Sequence, residues 1–186
     1  MLTKPQQRVA AFLRTVARCP LPFALQLQLP VASAYVTGLT MLARRELSEA
    51  QVRTRLARRQ FEPDDIDAAI ERLQRERALD DRRTALACAR TEAHVKRHGR
   101  LRALRQVETL GIARDVARAA VADVFEDLDE DLLIQQALDR RLRHGLSLED
   151  TAAAGRVHRY LLAQGFDAAR VHAAIRSRVT HAGHDD

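Results

Sequence analysis

An internal repeat of about 50 residues constrains this chain more than any other feature of its sequence. Phe61, Ile112 and Phe166 each stand in a short turn, 51 and then 54 residues apart. Apolar residues recur five and nine residues before these positions and nine residues after them: Leu56, Val107 and Leu161; Val52, Ala103 and Val157; Ile70, Val121 and Ile175. Because apolar residues three and four apart line one face of a helix, each copy predicts three short helices. The repeat therefore predicts a tandem array of three-helix modules.

Signals for helix ends agree with this pattern. Ser48 is a predicted N-cap, and Gln51 stands at the third helical position of a capping box. Pro63 fits the first turn of the next helix, and Thr151 and Asp167 are predicted to cap the last two helices. Aromatic residues make up only 4% of the chain and Trp is absent, so the cores must be aliphatic, which suits helices. The predicted fold class is all-α.

The turn between the second and third helix of each module carries its own signal. Gly111 and Gly165 precede the apolar turn residue in the second and third copies. A left-handed helix C-cap is expected there, and glycine adopts that conformation most easily. Gln60 stands at the same place in the first copy.

The predicted domain boundaries follow the repeat. They are an N-terminal helix and Pro-rich linker (1–33), repeat one (34–79), repeat two (80–128), repeat three (129–179) and a disordered tail (180–186). Four of the five prolines lie in the first thirty residues and interrupt helix formation there. The first helices of repeats one and two are predicted over 34–45 and 81–97. Each unit is small, so neighbouring repeats are expected to pack on each other.

Motifs for catalysis are lacking in the sequence. None of the seven glycines belongs to a phosphate-binding loop, which argues against ATP hydrolysis. His94 and His98 are four residues apart on a predicted helix, but the basic residues between them disfavour a metal cation, so a surface pair is the better interpretation. Asp80 and Asp81 are adjacent and share no helix face; one of them is predicted at a helix N-terminus. The sequence predicts no enzyme activity, no cofactor and no metal site.

The cysteines and the hydropathy pattern bear on the compartment. Cys19 and Cys88 form neither a CxxC pair nor a zinc spacing, and both are predicted as small buried hydrophobes in a reducing cytosol. A membrane span needs about 20 apolar residues, and no such run occurs. Arg14 and Arg18 interrupt the N-terminal apolar stretch, which makes it a poor signal peptide. We expect a cytoplasmic protein that does not contact a membrane.

The chain is basic, with a net charge of +6 and a pI near 10.3, which favours an anionic partner such as nucleic acid. The stretch 93–107 contains no acidic residue, and its basic members are Lys96, Arg97, Arg100, Arg102 and Arg105. A second basic group lies in repeat one: Arg44, Arg45, Arg53, Arg55, Arg58 and Arg59. An acidic group lies between repeats two and three: Asp123, Glu126, Asp127, Asp129, Glu130 and Asp131.

Charge runs of this kind are usually solvated helix faces, and the stretch 93–107 departs most from that pattern. Leu101, Leu104 and Val107 are expected to point inward, which leaves the basic side chains beside them free for DNA phosphates or an acidic protein surface. The predicted binding residues are Lys96, Arg97, Arg100, Arg102 and Arg105, with Arg44, Arg45, Arg58 and Arg59 as a second set. The acidic group either meets basic residues of a partner or supplies charge at helix ends.

Several segments carry a family resemblance. They are Leu42-Ala43-Arg44-Arg45-Glu46-Leu47-Ser48, Leu56-Ala57-Arg58-Arg59-Gln60-Phe61, the positions Ile66, Ile70 and Leu73, Leu79-Asp80-Asp81, and in repeat two Gly99, Arg100, Leu104 and Leu110-Gly111-Ile112. In order and spacing they resemble the RecX family, over about 34–178. The family usually has aromatic residues near Thr84 and Cys88, and glycine where this chain has Gln60.

The resemblance implies three tandem three-helix units in an elongated, curved array without catalytic residues. RecX-like proteins bind the groove of the RecA–DNA filament, which contains single-stranded DNA, and modulate, usually inhibit, the recombinase in DNA recombination, DNA repair and the SOS response. We expect a monomer with weak direct DNA binding of its own. The alternative is a direct DNA-binding regulator built from helix-turn-helix-like units. Against it stands the lack of Asn or Gln beside Arg on one short helix suited to base readout.

Overall fold

The structure is a computed structural model that describes residues 33–143, 148 and 150–182. Its helices are α1 (Ala34–Leu42), α2 (Glu49–Ala57), α3 (Pro63–Arg75), α4 (Asp81–Arg90), a π-helix (Thr91–Val95), α5 (Arg100–Glu108), α6 (Arg114–Phe125), α7 (Glu130–Leu142), α8 (Thr151–Ala163) and α9 (Ala168–Ala182). These residues contain no strand, so the all-α prediction is confirmed. No helix among them has the length and apolar character needed to cross a membrane. The predicted N-terminal helix, the linker and Cys19 lie outside the described residues.

Each repeat builds its own core. Three separate clusters of buried apolar side chains correspond to repeats one, two and three. The recurring positions of the sequence pattern fill these cores, and the following six are all 0% exposed: Val52, Leu56, Ala103, Val107, Val157 and Leu161. The repeat of about 50 residues in the sequence therefore matches the spacing of the buried residues in the structure.

Local capping fixes where the helices begin. The predicted capping box at Ser48 and Gln51 is present, and the Asp80 side chain caps α4. The prediction for Thr151 is wrong by one residue, because the Asp150 side chain accepts hydrogen bonds from two backbone amides at the start of α8. A carboxylate there also complements the positive end of the helix dipole.

Three helix ends differ from the sequence prediction. α1 ends at Leu42 rather than at residue 45. The helix predicted over 81–97 ends earlier: α4 continues only as the π-helix, and Arg97 has a left-handed φ of 57°. The extra residue in the π turn rotates the chain so that Glu92 is buried. α9 continues through Ala182, past the predicted start of the tail at residue 180.

The turn between the second and third helix has the same conformation in all three repeats. Gly111 and Gly165 have φ values of 78° and 89°, as predicted. Gln60 adopts φ 62° at the corresponding position of repeat one, in a region that residues with a side chain occupy rarely. The three turns are therefore alike in backbone and differ in the side chain they carry.

Candidate nucleic-acid interface between repeats one and two

Two junctions join consecutive repeats, and both use the same elements. At junction one, between repeats one and two, the turn at Gly111 lies against the start of α2. The Ser48 hydroxyl donates a hydrogen bond to the Leu110 carbonyl oxygen. Thr84, which is buried, donates from its hydroxyl to the carbonyl oxygen of Leu47 at 3.3 Å. Thr84 thus makes a polar contact across the junction.

At junction two, the turn at Gly165 lies in the same way against the start of α5. The Gly99 amide donates to the Gln164 carbonyl oxygen at 2.9 Å, and the Leu101 amide donates to the Gly165 carbonyl oxygen at 3.1 Å. The Arg102 guanidinium donates to the side-chain oxygen of Gln164 at 3.2 Å. Backbone and side chain together fix repeat three to the first turn of α5.

The basic stretch 93–107 takes part in this second junction. Arg97 donates to the side-chain oxygen of Gln136 at 2.8 Å, and Arg100 forms an ion pair with Glu130 at 3.1 Å. Both partners lie on α7, in repeat three. With Arg102, three of the five residues predicted here as binding residues connect repeats two and three. Whether they also bind a partner stays a prediction.

Lys96 forms an ion pair with Glu92, whose carboxylate lies on the π-helix and is directed into the interior. Glu92 is 2% exposed, and its oxygens lie 2.5 Å from Lys96 Nζ and 2.6 Å from His98 Nδ1. Burial raises the pKa of the Glu92 carboxyl, but the hydrogen bonds from Lys96 and His98 outweigh burial and hold that pKa below its usual value. The predicted surface pair of His94 and His98 is wrong, because the π turn places His98 beside Glu92 and leaves His94 exposed. The described residues contain no group of three or more side chains suited to a metal ion.

Arg105 is the member of this stretch that stays free. It is exposed, and its side chain forms no hydrogen bond or ion pair within the described residues. Leu101 is 52% exposed, so the prediction that it points inward is wrong. Leu104 is half-buried and Val107 is fully buried, as expected. The face of α5 that meets the core is narrower than the sequence pattern predicts.

The arginines of repeat one differ from those of the stretch 93–107, because most of them have no side-chain partner among the described residues. Arg53 is bound by two carboxylates, one of them Glu49 at 2.7 Å. Arg45, Arg55 and Arg58, which we call the arginine cluster, make no ion pair within the described part of the chain. Burial, and then the charges of Arg45 and Arg58, lower the pKa of the Arg55 guanidinium. The cluster is therefore a concentration of positive charge that the described residues leave unneutralised.

The arginine cluster lines a groove along junction one. Two adjoining hollows of about 260 and 320 Å³ share Gln51 and Leu110 in their walls. Arg55 and Arg58 line the first hollow, and Arg45 lines the second. Neutral hydrogen-bonding side chains complete the walls: Thr54, Thr91, Gln106 and Thr109. Guanidinium groups beside neutral donors on an open surface suit a phosphate backbone.

The acidic residues in the walls of this groove already have partners. Glu46 forms an ion pair with Arg83 at 2.9 Å, and Glu92 is bound to Lys96 and His98. These carboxylates consequently do not cancel the charge of the arginine cluster. Of the second predicted set, the structure brings Arg45 and Arg58 together, whereas Arg44 and Arg59 are exposed and lie outside the walls of the two hollows.

Arg55 and Gln51 line the groove but were not among the predicted binding residues. Arg55 stands three residues before Arg58, a spacing that makes them neighbours on the surface of α2. That spacing is the signal in the sequence that identifies Arg55. Gln51 was identified only as a capping residue, and nothing in the sequence indicates that it also faces repeat two.

Comparisons with known proteins agree with this architecture. A family model described as the first three-helix domain of RecX matches residues 34–73, the segment that contains the arginine cluster. The regulatory protein RecX of Syntrophotalea carbinolica is 30% identical over 141 residues, which cover 75% of this chain and 92% of that protein. The chain belongs to the RecX family. The RecX protein of Halorhodospira halophila is 31% identical over 138 residues, covering 74% of this chain and 83% of that protein.

Solved structures support the RecX fold. The crystal structure of RecX from Lactobacillus salivarius matches with a TM-score of 0.68 at 18% identity, covering 78% of this chain and 94% of that one. A second RecX crystal structure matches with a TM-score of 0.61 at 17% identity, covering 91% of this chain and 76% of that one. At these identities the likeness is evidence for the arrangement of helices.

Several residues of the acidic group of this RecX chain form contacts within the fold. Asp129 caps α7, Glu130 pairs with Arg100, and Asp131 pairs with Arg170 at 3.2 Å. Asp123 pairs with Arg82 at 3.3 Å. These contacts favour the interpretation of charge at helix ends or between helices for four of the six residues. Glu126 and Asp127 are exposed.

Proposed function

We propose that this chain regulates a RecA recombinase by binding the RecA–DNA filament, with the arginine cluster contacting DNA phosphates. The observation that carries the proposal is the concentration of three unpaired guanidinium groups along an open groove. Membership of the RecX family supports a recombinase as the protein partner. The unpaired charge along the groove supports the proposal that Arg45, Arg55 and Arg58 contact the nucleic acid of the filament.

The physical case rests on charge. A phosphate group between Arg55 and its basic neighbours would replace repulsion with attraction. A guanidinium group can bind two phosphate oxygens through parallel hydrogen bonds. Each such contact releases counterions condensed on the DNA, so binding weakens as salt rises. Gln51, Thr54 and Thr109 add neutral polar groups, which position a strand without selecting its bases. Sequence-independent binding of this kind suits a protein that acts on filaments of any sequence.

The predicted residues contribute unequally to this proposal. Arg105 is free to extend the basic surface, and Arg44 and Arg59 are exposed in repeat one. Lys96 is neutralised by Glu92, whereas Arg97, Arg100 and Arg102 hold repeat three. We therefore assign the main role in DNA contact to the arginine cluster.

We expect the effect on the recombinase to be inhibition, because a protein bound along the filament occupies surface that the recombining strands require. The test is RecA ATPase activity and strand exchange on single-stranded DNA, with and without this chain. Both rates should fall with increasing amounts of the chain, and the chain alone should show no turnover of its own. Unchanged rates at saturating amounts would contradict regulation of the recombinase.

The alternative of a direct DNA-binding regulator makes a different prediction. If the arginine cluster were the whole binding surface, the chain would bind bare DNA and DNA in a filament with equal affinity. Binding should therefore be measured on bare and on RecA-coated single-stranded DNA in the same buffer. Tighter binding to coated DNA supports the filament as target, and equal binding supports the alternative.

A further inference from the structure

The second hollow of the groove, of about 320 Å³, has a basic side chain from each of the two repeats that form it. Repeat one contributes Arg45, and repeat two contributes Lys96. The Lys96 side chain is 49% exposed, so it is accessible from the hollow although it pairs with Glu92. An anion held between Arg45 and Lys96 would be bound by both repeats, and a phosphate of the DNA backbone carries the charge that suits this position.

Lys96 shares the carboxylate that holds it with a second side chain. Glu92 is 2% exposed, and its two oxygens have separate partners: Oε1 lies 2.5 Å from Lys96 Nζ, and Oε2 lies 2.6 Å from His98 Nδ1. Glu92 and Lys96 line the hollow, whereas His98 is 14% exposed and is not part of its walls. One buried negative charge therefore has two basic partners, a lysine in the wall of the groove and a histidine outside it.

The net charge of these three side chains depends on His98. A carboxylate only accepts hydrogen bonds, so Nδ1 of His98 carries a proton in its contact with Glu92. Histidine takes up its second proton, here at Nε2, within the pH range in which proteins work. While His98 is neutral, the charges of Glu92 and Lys96 cancel. Once His98 is charged, the three side chains carry one net positive charge, and the contact of His98 with Glu92 is an ion pair.

The charge of His98 also decides how unfavourable it is for Lys96 to turn to a phosphate. With a neutral His98, the loss of Lys96 leaves Glu92 as a buried charge without a counterion, which is strongly unfavourable. A charged His98 compensates Glu92, and Lys96 becomes available to the groove. Glu92 stays ionised throughout: burial raises the pKa of its carboxyl, but the hydrogen bonds from Lys96 and His98 outweigh burial and hold that pKa below its usual value.

The other charged and titratable groups around these three side chains keep their charge state near neutral pH. Glu46, in the wall of the hollow, is paired with Arg83. On α4, burial and then the charge of Glu92 raise the pKa of the Cys88 thiol, which stays neutral. The arginines that lie nearest to His98 in the sequence are bound to side chains of repeat three: Arg97, Arg100 and Arg102. His98 is therefore the member of this surrounding whose charge changes.

We propose that Arg45 and Lys96 form a phosphate site across junction one, and that Lys96 binds the phosphate when His98 is protonated. The proposal rests on the proposed function, because it takes a DNA phosphate as the ligand of the groove. It makes Glu92 a positioning residue, which holds Lys96 at the wall of the hollow, and His98 the residue that regulates the site. Binding to DNA should strengthen and depend more steeply on salt as pH falls from about 8 to about 6.

The test measures binding of the full chain to a bare single-stranded oligothymidylate over a range of salt, at about pH 6 and about pH 8. Each phosphate contact on a single strand adds about 0.7 to the log–log salt slope. We expect the parent slope to be steeper by about 0.7 at the lower pH. His98→Gln should have one slope at both pH values, because glutamine keeps a donor for Glu92 and cannot be charged. An equal change of slope in the parent and in His98→Gln would overturn the proposal.

The matched control is His94→Gln. His94 is an exposed histidine of the π-helix that lines neither hollow of the groove, so this variant should keep the pH dependence of the parent. Lys96→Arg should also keep it, since a guanidinium group pairs with Glu92 in the same way, whereas Lys96→Gln should lose it. Persistent pH dependence in Lys96→Gln would show that the charge of His98 acts without Lys96. Helicity by circular dichroism establishes that each variant is folded.

The same titrations separate this proposal from the proposed function. If the groove binds DNA, the variant in which Arg45, Arg55 and Arg58 are changed to Ala has a flatter slope than the parent at both pH values. That result, together with equal behaviour of the parent and His98→Gln, would leave the groove as the DNA contact and overturn its regulation by His98. A slope equal to that of the parent at both pH values would contradict the proposed function and this proposal together.

Discussion

At both junctions of this RecX chain the left-handed turn of one repeat packs on the N-cap region of the repeat before it, but the arginines at the two junctions differ in whether they have partners. At junction two, Arg97 and Arg100 are bound to side chains of repeat three, and Arg100 also lies over the Phe125 ring at 5.5 Å. At junction one, Arg55 and Arg58 line a groove and find no acidic partner. The difference lies in what the next repeat supplies, because α7 offers Glu130 and Gln136 to the arginines of junction two. Repeat two offers the arginine cluster neutral groups and one carboxylate, Glu92, which is already bound to Lys96 and His98.

This comparison shows why a charge run in the sequence does not identify a binding surface. The stretch 93–107 contains no acid, but Glu92 and Glu130 approach it in space. The arginines of repeat one lie among acids in the sequence, but five of the six between residues 44 and 59 form no ion pair within the described residues. Which arginines are available is therefore decided by tertiary contacts.

The largest expected effect concerns the backbone contact of junction two. Gly165→Ala places a Cβ atom against the backbone of Arg102 at a φ of 89°. We expect a loss of about 2–4 kcal/mol in the free energy of unfolding, measured by urea denaturation. Gly155→Ala is the control, because that helical glycine has room for a Cβ atom; it should stabilise the chain by about 0.5–1 kcal/mol. Equal effects of the two changes would show that the turn is not docked.

The next effect concerns Glu92, which anchors the segment that leads into junction two. Glu92→Gln should lower the free energy of unfolding by about 1–3 kcal/mol at neutral pH. Because the pKa of Glu92 is depressed in the folded chain, its contribution is present above the ordinary carboxyl pKa of 4.5 and is lost as pH falls. Urea denaturation at pH 7 and pH 3 should therefore show a gap between parent and variant that closes at the acid pH. A gap of the same size at both values would contradict the ion pair.

A smaller loss is expected from the side chains that cross junction two. Arg97→Ala, Arg100→Ala and Arg102→Ala together should reduce stability by about 1–2 kcal/mol, since exposed pairs each contribute less than about 1 kcal/mol. The part due to the Arg100–Glu130 pair should shrink at high salt. Thermal melting at low and high salt measures this loss. If the variant is as stable as the parent, these arginines do not stabilise junction two, and they become candidates for partner binding again.

The smallest effect on stability is expected at junction one. Arg45→Ala, Arg55→Ala and Arg58→Ala together should change the free energy of unfolding by within about 0.5 kcal/mol, because no attractive ion pair is lost. Relief of the repulsion at Arg55 favours a slight gain. A loss comparable to that of the junction-two variant would show that the cluster holds the fold.

Much of the fold follows from the sequence because the signals are local. The spacing of Leu56, Val107 and Leu161 reports burial directly, and the capping box at Ser48 needs only four consecutive residues. The helix ends near residue 95 could not be predicted, because the π turn depends on burying Glu92. The basic residues were found by composition. Their division into structural and available sets depends on contacts between repeats.

The most direct test of this account measures binding to RecA-coated single-stranded DNA as a function of salt. The parent, the junction-one triple variant and the junction-two triple variant are compared in one titration series. We predict that the junction-one variant binds more weakly and that its log–log salt slope falls by about 2 units, from three lost phosphate contacts. The junction-two variant should keep the parent slope. A parent-like slope for the junction-one variant, with a flattened slope for the junction-two variant, would contradict the assignment of the arginine cluster as the DNA contact.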